Sequence, residues 1–326
     1  MPAPDPRPFA LPTDLAPAAA GRRVFITGSG KHNGLGQAFA FAAGLSGASS
    51  VAVHFHGSYE DGLATVDLIN EVAGACVAFP VQADVTNPRD VWAMRSYVID
   101  KMGGPPDLLI CNSGRSEDGY VLGKAPREKE AESSAARRAR VRQAFVKNLE
   151  QSRDVIDTKL DGFLAMTHLW SSEALHAGRE LTIVYISSRQ AHDPGPGVPG
   201  YCAANWAVLA LPKVLRVNLG KDANKVTAFS VGYPFVRTAM TESYADNPKV
   251  FGRWQPRMLA PEEASAALFA LLGRPREDLA ERFFQLEVMA DPQRGERAVQ
   301  TAWTEVRLDP TVITPAWSDE ATLRFG

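Results

Sequence analysis

The sequence predicts a doubly wound α/β fold, in which a parallel β-sheet is covered by helices on both faces. Short, nearly uninterrupted apolar segments alternate with helical stretches along the 326 residues, a pattern typical of buried parallel strands. Ligands bind such sheets beyond the carboxyl ends of the strands. In this chain the polar and glycine-rich motifs follow the strands directly, which indicates a site at that edge.

The order of the elements agrees with this fold. Apolar segments predict strands at 22–27, 50–55, 75–81, 107–111, 181–186, 226–231 and, as the last strand, 282–289. The intervening patterns predict helices at 37–45, 60–72, 88–102, 201–219 and 262–272. We expect one domain over 21–290, with a proline-rich arm at 1–20, a charged helical insertion at about 124–150 and a C-terminal extension at 291–326.

Composition excludes several other classes of protein. Apolar residues make up 45% and charged residues 22%, and the formal net charge of -2 gives no basic excess for nucleic acid. Cys76, Cys111 and Cys202 are widely spaced, which argues against a disulfide framework or a metal site. The sequence contains no apolar run of about 18 residues, so no membrane span is expected. The N-terminus lacks the apolar core of a signal peptide. We expect a cytoplasmic protein.

A glycine-rich loop joins the first strand to the first helix. Gly28, Gly30, Gly34 and Gly36 let the backbone turn tightly and approach a pyrophosphate, and the helix N-terminus supplies free N–H groups. The loop therefore favours a dinucleotide site. A plain strand-to-helix turn that needs glycine is the alternative.

The end of the second strand bears on the choice of cofactor. An acidic residue there binds the ribose of NAD and repels the 2′-phosphate of NADP. This chain has His56 and Ser58, with no acid before Glu60, and Lys31 and His32 add positive charge nearby. NADP(H) is favoured over NAD, although the histidines are also compatible with an ordinary strand end.

A hydroxyl and a phenol follow the fifth strand. Ser188 ends that strand, and Tyr201 opens the long helix thirteen residues later. A serine at a strand end and a tyrosine at the adjacent helix start can converge on one carbonyl group.

In these motifs the chain resembles the short-chain dehydrogenase/reductase family. The glycine loop, Asp84-Val85, Asn112-Ser113-Gly114, Ser188, Tyr201 and Thr238 occur in the family's order over about residues 21–290. The resemblance implies a Rossmann-type fold and hydride transfer to a carbonyl or from an alcohol. It also implies cofactor contacts at Gly28, Ser29, Gly30, Lys31, Asn33, Gly34, Leu35, Gly36, His56, Ser58, Asp84, Val85, Asn112, Ser113, Gly114, Lys159, Tyr201, Tyr233, Pro234, Val236 and Thr238.

Two catalytic positions depart from the family pattern. Asn205 stands where the family usually has lysine, four residues after Tyr201, and Lys159 stands where it usually has asparagine. The same exchange is found in ketoreductase domains of modular polyketide synthases and animal-type fatty acid synthases. An ammonium near Tyr201 lowers the phenol pKa whichever helix carries it, so the exchange is compatible with catalysis. A surface Lys159 in an inactive site is the alternative.

Smaller departures lie in three loops. The glycine loop is about two residues longer than usual, and Tyr233-Pro234 replaces the common Pro-Gly. The segment 239–256 lies where the family has a mobile substrate lid. Phe251 and Trp254 in it, and Met258 just after it, suit either an apolar pocket or core packing.

The insertion is charged. Three glutamates precede four arginines in 124–150: Glu128, Glu130, Glu132, then Arg137, Arg138, Arg140 and Arg142. Acid before base suits a helix macrodipole, so a solvated helix or subunit contact is expected. A dock for a phosphopantetheine carrier protein or for CoA phosphates is the sharper hypothesis.

These features predict an NADPH-dependent ketoreductase. We expect Tyr201 to donate the proton, Ser188 to hydrogen-bond the carbonyl oxygen, Lys159 to lower the Tyr201 pKa, and Asn205 to fix Lys159 or a water. The substrate is a small-molecule ketone or an acyl thioester, and the resemblance implies a homodimer or homotetramer. The alternatives are an NADP-linked alcohol dehydrogenase working oxidatively and a catalytically silent NADP(H)-binding sensor or scaffold.

Overall fold

The computed structural model describes residues 17–75, 77–116, 133–295 and 298–307. Within these ranges eight strands form one sheet. They are β1 Arg23–Ile26, β2 Ser50–Phe55, β3 Ala78–Gln82, β4 Leu108–Cys111, β5 Leu181–Ser188, β6 Val226–Tyr233, β7 Phe283–Ala290 and β8 Val299–Glu305.

Helices connect the strands. They are α1 Leu35–Leu45, α2 Tyr59–Ala73, α3 Pro88–Met102, α4 Ser134–Ile156, α5 Gly162–His176, α6 Pro199–Val208, α7 Leu211–Leu219, α8 Pro248–Phe251, α9 Pro261–Leu272 and α10 Arg276–Leu279. Local sequence sets the ends of α3. Asn87 accepts a hydrogen bond from the Arg89 N–H, and Pro88 occupies the first helical position.

The strand order is β3-β2-β1-β4-β5-β6-β7-β8. All neighbours from β3 to β7 pair in parallel, and β8 pairs antiparallel to β7. The chain changes direction across the sheet between β1 and β4. Ligands bind doubly wound sheets at this switch point, so the fold places a crevice where the glycine loop lies.

Apolar side chains cover both faces of the sheet. On one face Trp170 of α5 is fully buried against Phe25 of β1, with 5.6 Å between ring centroids. On the other face Phe39 of α1 packs against Tyr233 of β6, at 5.9 Å. The predicted doubly wound fold is confirmed, and its mostly parallel sheet forms a single domain with a C-terminal extension.

The predicted helix over 201–219 is wrong as one element. Helix α6 begins at Pro199, and the chain breaks after Val208 before α7 begins at Leu211. Pro212 explains the break, because it has no N–H to donate and its ring clashes with the carbonyl four residues earlier.

The prediction that 282–289 is the last strand is also wrong. Strand β8 lies in the C-terminal extension and pairs with β7, so that Trp303 stands opposite Leu286. The Trp303 indole donates a hydrogen bond to the Ala267 carbonyl of α9, at 2.8 Å. This part of the extension belongs to the main sheet.

The described part of the insertion is the beginning of a longer element. Helix α4 runs without a break from Ser134 into a π-helical turn at Asp157–Asp161. Arg137 and Arg138 lie in its first turns, at the positive end of the macrodipole. The expectation that base would lie at the C-terminal end of this helix is therefore wrong.

Several predicted features lie outside the described residues: the arm through residue 16, Cys76, residues 124–132 with their three glutamates, and the extension beyond residue 307. Among the residues that are described, no helix is long and apolar enough to cross a membrane. The same residues contain no group of three or more His, Cys, Asp or Glu side chains placed to hold a metal ion.

Candidate active site

A cavity of about 700 Å³ opens at the carboxyl edge of the sheet. The loops that follow β1 to β6 all contribute to its lining. Most of the residues predicted for the site line it: Gly28, Gly30, Lys31, Gly34, Leu35, Gly36, His56, Ser58, Asp84, Val85, Asn112, Ser113, Gly114, Lys159, Ser188, Tyr201, Tyr233, Pro234, Val236 and Thr238. The topology therefore brings together side chains that are distant in sequence.

Three predicted site residues do not line this cavity: Ser29, Asn33 and Asn205. Ser29 is fully buried, where its hydroxyl donates to the Ile26 carbonyl at 2.9 Å and accepts the His54 N–H at 3.0 Å. Its role in the described structure is to join the ends of β1 and β2.

The glycine loop is packed tightly against the end of β4. Gly28 has the left-handed φ of 65°, and a Cβ on it would lie 3.1 Å from Ser113 Cα. A Cβ on Gly36 would lie 2.3 Å from the Gly28 carbonyl oxygen. Both positions therefore exclude a side chain. The Thr27 hydroxyl accepts the N–H groups of Asn112 and Ser113, at 2.8 and 2.9 Å, which holds β4 beside the loop.

This loop fits a dinucleotide pyrophosphate. Helix α1 has eleven residues and begins after Gly34, with no side chain that caps its first N–H groups and no acid in its first turn. An uncapped helix N-terminus next to a tight glycine turn is a favourable environment for an anion. Gly34, Leu35 and Gly36 would hold the phosphates there.

The extra residues of the loop form a turn toward the lid segment. The Gly34 N–H donates to the Lys31 carbonyl at 3.2 Å, and Asn33 adopts a left-handed φ of 51°. The Asn33 carbonyl accepts the Ala239 N–H at 2.9 Å. Asn33 thus ties the glycine loop to the beginning of segment 239–256.

His54 supports the loop from β2. The Gly28 N–H donates to His54 Nδ1 at 3.1 Å, which requires a neutral ring with its proton on Nε2. Burial lowers the pKa of His54 to about 4. His54 therefore acts as a neutral acceptor, a role that the sequence did not indicate.

The end of β2 supplies few negative charges to the cavity. His56, Ser58 and Lys31 line it, whereas Glu60 and Asp61 do not. Asp84 lines it after β3, and hydrogen bonds from the Thr86 N–H and hydroxyl oppose the effect of its burial and leave the pKa of its carboxyl below the usual value. The nearest atoms of Asp84 and His56 are 3.9 Å apart.

Ser188 and Tyr201 lie together in the cavity. The Ser188 hydroxyl accepts the Gln190 N–H at 3.2 Å. Burial raises the pKa of the Tyr201 phenol, and a hydrogen bond with Ser188 opposes this shift. Tyr201 is therefore protonated at neutral pH.

Lys159 lies on the π-helical turn between α4 and α5, and π-helical turns are frequent at functional sites. Its side chain is 5% exposed, with Nζ 4.9 Å from the centroid of the Phe163 ring. Burial lowers the pKa of its ammonium to about 7. Lys159 is not a surface lysine, and its amine is available to polar groups of a ligand.

Asn205 is fully buried behind Tyr201. Its Nδ2 donates to the Tyr201 carbonyl at 2.9 Å, and its Oδ1 has no hydrogen-bond partner among the described atoms. Asn205 makes no hydrogen bond to Lys159 in this structure. The expectation that it fixes Lys159 is thus not met by a direct contact.

Tyr233 points away from a ligand. Its hydroxyl donates to the Ala264 carbonyl of α9 at 3.0 Å, and its ring packs against Trp303 at 5.8 Å. Pro234, the next residue, also lines the cavity.

Sequence reasoning missed part of the cavity wall. The cavity wall includes four residues that the sequence did not single out: Gln190, Val198, Phe235 and Tyr244. Trp254, which the sequence did single out, also lines the cavity. The nearness of Gln190 to Ser188 in sequence was the available signal. Phe251 and Met258, which the sequence singled out together with Trp254, are buried: they are 5% and 7% exposed and belong to a small core.

The family model for short chain dehydrogenases matches residues 22–249. The chain belongs to the short-chain dehydrogenase/reductase family. It is therefore an oxidoreductase of a family that binds a nicotinamide dinucleotide.

Three relatives illustrate the similarity to the short-chain dehydrogenase/reductase family. An uncharacterized NAD-dependent oxidoreductase of Mycobacterium tuberculosis is 26% identical over 254 residues, which are 74% of this chain and 83% of that protein. A short-chain type dehydrogenase/reductase from Mycobacterium marinum is 25% identical, with a TM-score of 0.63 over 79% of this chain and 92% of that one. A 7α-hydroxysteroid dehydrogenase complexed with NADH and 7-oxo glycochenodeoxycholic acid shares the fold, at 19% identity and a TM-score of 0.65 over 82% of this chain and 93% of that one.

The role of His54 predicts a pH-dependent stability. Because its pKa falls from 6.5 in the unfolded chain to about 4 in the folded one, the unfolded chain binds the extra proton between these values. Stability should therefore fall as the pH falls from 6.5 to 4, by about 3 kcal/mol.

Urea unfolding of wild type and His54→Asn measures this effect, since asparagine retains an acceptor and does not titrate. We expect the stability advantage of the wild type to shrink by about 3 kcal/mol between pH 7 and pH 4. A difference that stays constant over this range would contradict the assignment.

Proposed function

We propose that this chain is an NADPH-dependent reductase of a small-molecule ketone, with Tyr201 as the general acid. The observation that carries this proposal is the placement of Tyr201 and Ser188 together in the cavity that the glycine loop lines, with a hydrogen bond between the two side chains. In reduction the carbonyl oxygen must gain a proton, and the Tyr201 phenol is the proton donor that lies beside Ser188.

A bound nicotinamide supplies the hydride for this chemistry. The Ser188 hydroxyl donates a hydrogen bond to the substrate carbonyl oxygen and holds it beside the phenol. Tyr201 transfers its proton to that oxygen as negative charge develops. Lys159, when charged, would stabilise the resulting phenolate and would help to hold the nicotinamide ribose.

The proposed preference for NADPH rests on the end of β2. Lys31, His56 and Ser58 offer a positive charge and hydrogen-bond donors to a 2′-phosphate. The two acidic residues in the first turn of α2, Glu60 and Asp61, do not line the cavity. The relative in Mycobacterium tuberculosis is named as NAD-dependent, so both cofactors belong in every assay.

The proposed substrate is a free small molecule. Arg137 and Arg138, the centre of the hypothetical dock for a carrier protein, lie about 30 Å along the helix from Lys159 at 1.5 Å per residue. A substrate bound to a carrier at these arginines would need a long flexible arm to reach Tyr201. β-Ketoacyl thioesters remain among the ketones to be tested.

We further propose a homodimer or homotetramer that buries the exposed face of α4. Val141, Phe145 and Leu149 are 53%, 63% and 39% exposed and lie one turn apart on this helix. A soluble protein seldom leaves such an apolar stripe uncovered.

Analytical ultracentrifugation tests the oligomer. Phe145→Glu should shift the protein toward the monomer, because a charge in an apolar interface loses its hydration. Trp92→Glu, at a 65% exposed position on α3, is the control that leaves assembly intact. A monomeric wild type would overturn this part of the proposal.

The proposed function is tested directly by Tyr201→Phe. Oxidation of NADPH at 340 nm with a panel of ketones should fall by about 10²–10⁴-fold in kcat, because the general acid is lost. NADPH affinity, measured by fluorescence, should stay within about threefold. NADH, run in parallel, should give the lower kcat/KM.

Two results would count against this reading. Retained turnover in Tyr201→Phe rejects the tyrosine assignment. A wild type that binds NADPH and reduces no ketone indicates the silent sensor or scaffold instead.

The exchanged residues predict a rescue. The π-helical turn contacts α6, so a lysine at 205, one turn after Tyr201, can replace the cation lost from 159. Lys159→Asn and Asn205→Lys should each lower kcat/KM by about 10²-fold or more, and the double variant should recover at least tenfold over either. If the double variant is as inactive as Lys159→Asn, the exchange is not a functional pair.

A further inference from the structure

One wall of the cavity is aromatic. Phe235, Tyr244 and Trp254 all line the cavity and are only half-buried. Phe235 lies between the other two, with ring centroids 6.3 Å from Tyr244 and 5.6 Å from Trp254. Tyr244 is also near enough to Tyr201 for the two phenols to interact electrostatically. These three rings, the aromatic wall, therefore border the reacting group.

A buried glutamine fixes the centre of the aromatic wall. Gln255 is 3% exposed, and its side chain accepts the Phe235 N–H and donates to the Phe235 carbonyl, both at 2.8 Å. It also donates to the Arg257 carbonyl at 2.7 Å. Phe251 packs behind Phe235 at 6.5 Å. Contacts within the protein therefore fix the position of Phe235.

Asp193 lies in the loop between Ser188 and Tyr201, here called the catalytic loop, and joins it to the aromatic wall. Its carboxylate accepts hydrogen bonds from the Trp254 indole and the Arg253 guanidinium. Arg253 also lies over the Trp254 ring, 4.2 Å from its centroid. Trp254 is held in a fixed position by these two contacts.

The cations beside the aromatic wall are already paired. Arg253 pairs with Asp193, Arg189 with Glu287, Arg237 with Glu242 and Asp246, and Arg257 with Glu263. A phosphate or carboxylate placed against the wall itself would have to displace one of these acids. The wall suits an uncharged apolar group.

We propose that the substrate is a ring ketone, aryl or fused-ring, whose ring packs on the aromatic wall while its carbonyl meets Ser188 and Tyr201. This inference rests on the proposed ketone reduction and narrows its substrate class. Rigid aromatic side chains favour a flat, rigid ligand over a flexible chain, because stacking is gained while little conformational freedom is lost.

The test compares two ketones with equal numbers of carbon atoms. 1-Tetralone has an aromatic fused ring, and 2-decanone is linear; a short β-ketoacyl thioester, S-acetoacetyl-N-acetylcysteamine, is the third probe. Binding is measured by calorimetry on the enzyme saturated with NADP⁺, which cannot reduce a ketone, and turnover is measured separately with NADPH. We expect 1-tetralone to bind at least tenfold more tightly than either other probe.

The variant Trp254→Leu tests whether the ring of 1-tetralone binds at the aromatic wall. It should weaken 1-tetralone at least tenfold and 2-decanone less than threefold, with NADPH affinity unchanged. The matched control is Trp92→Leu at the exposed tryptophan of α3, which should change neither. Asp193→Asn should raise KM for 1-tetralone while leaving kcat unchanged, as expected of a positioning residue.

The outcomes separate this inference from the proposed function. Tight binding of 1-tetralone that depends on Trp254, without turnover of any ketone, upholds the ring-binding wall and overturns the reductase. Turnover that prefers 2-decanone or the thioester, or that responds equally to Trp254→Leu for all probes, overturns the wall and leaves the reductase standing.

Discussion

The cavity depends on the close approach of the glycine loop to the ends of β2 and β4. Gly36 touches the Gly28 carbonyl so closely that no Cβ fits between α1 and the loop. Thr27 accepts the first two N–H groups after β4, and His54 accepts the Gly28 N–H from β2. The loop is therefore held by its neighbours on both sides, and the N–H groups at the start of α1 remain available for a ligand.

The same enclosure affects the two ionisable groups that we propose for catalysis, Tyr201 and Lys159. Burial disfavours charge, so it raises the pKa of Tyr201 and lowers that of Lys159. The phenol keeps its proton. The amine of Lys159 has a pKa of about 7, so near neutral pH it is partly charged and partly neutral.

The sequence was sufficient for the elements whose formation is local or repeated. Continuous apolar strands and the glycine turn give the sheet and the cofactor loop, because these patterns have few other stable arrangements. Pro212 interrupts a helix whose apolar pattern looked continuous, and β8 is partly exposed along its length and has no continuous apolar run, so neither could be placed by periodicity alone. The roles of His54 and Asn205 depend on which backbone group lies beside each side chain. Only the tertiary structure supplies that information.

Segment 239–256 is anchored near both of its ends. Near its start the Ala239 N–H donates to the Asn33 carbonyl of the glycine loop, and near its end Trp254 is held by Asp193 of the catalytic loop. The two extra residues of the glycine loop thus form a contact with the substrate side of the cavity. A segment fixed at both ends, with a small core around Phe251, presents its rings in one arrangement. The wall that we propose for the substrate is therefore held by contacts within the protein, and because its first anchor is the Asn33 carbonyl, the arrangement of the wall depends on the conformation of the glycine loop.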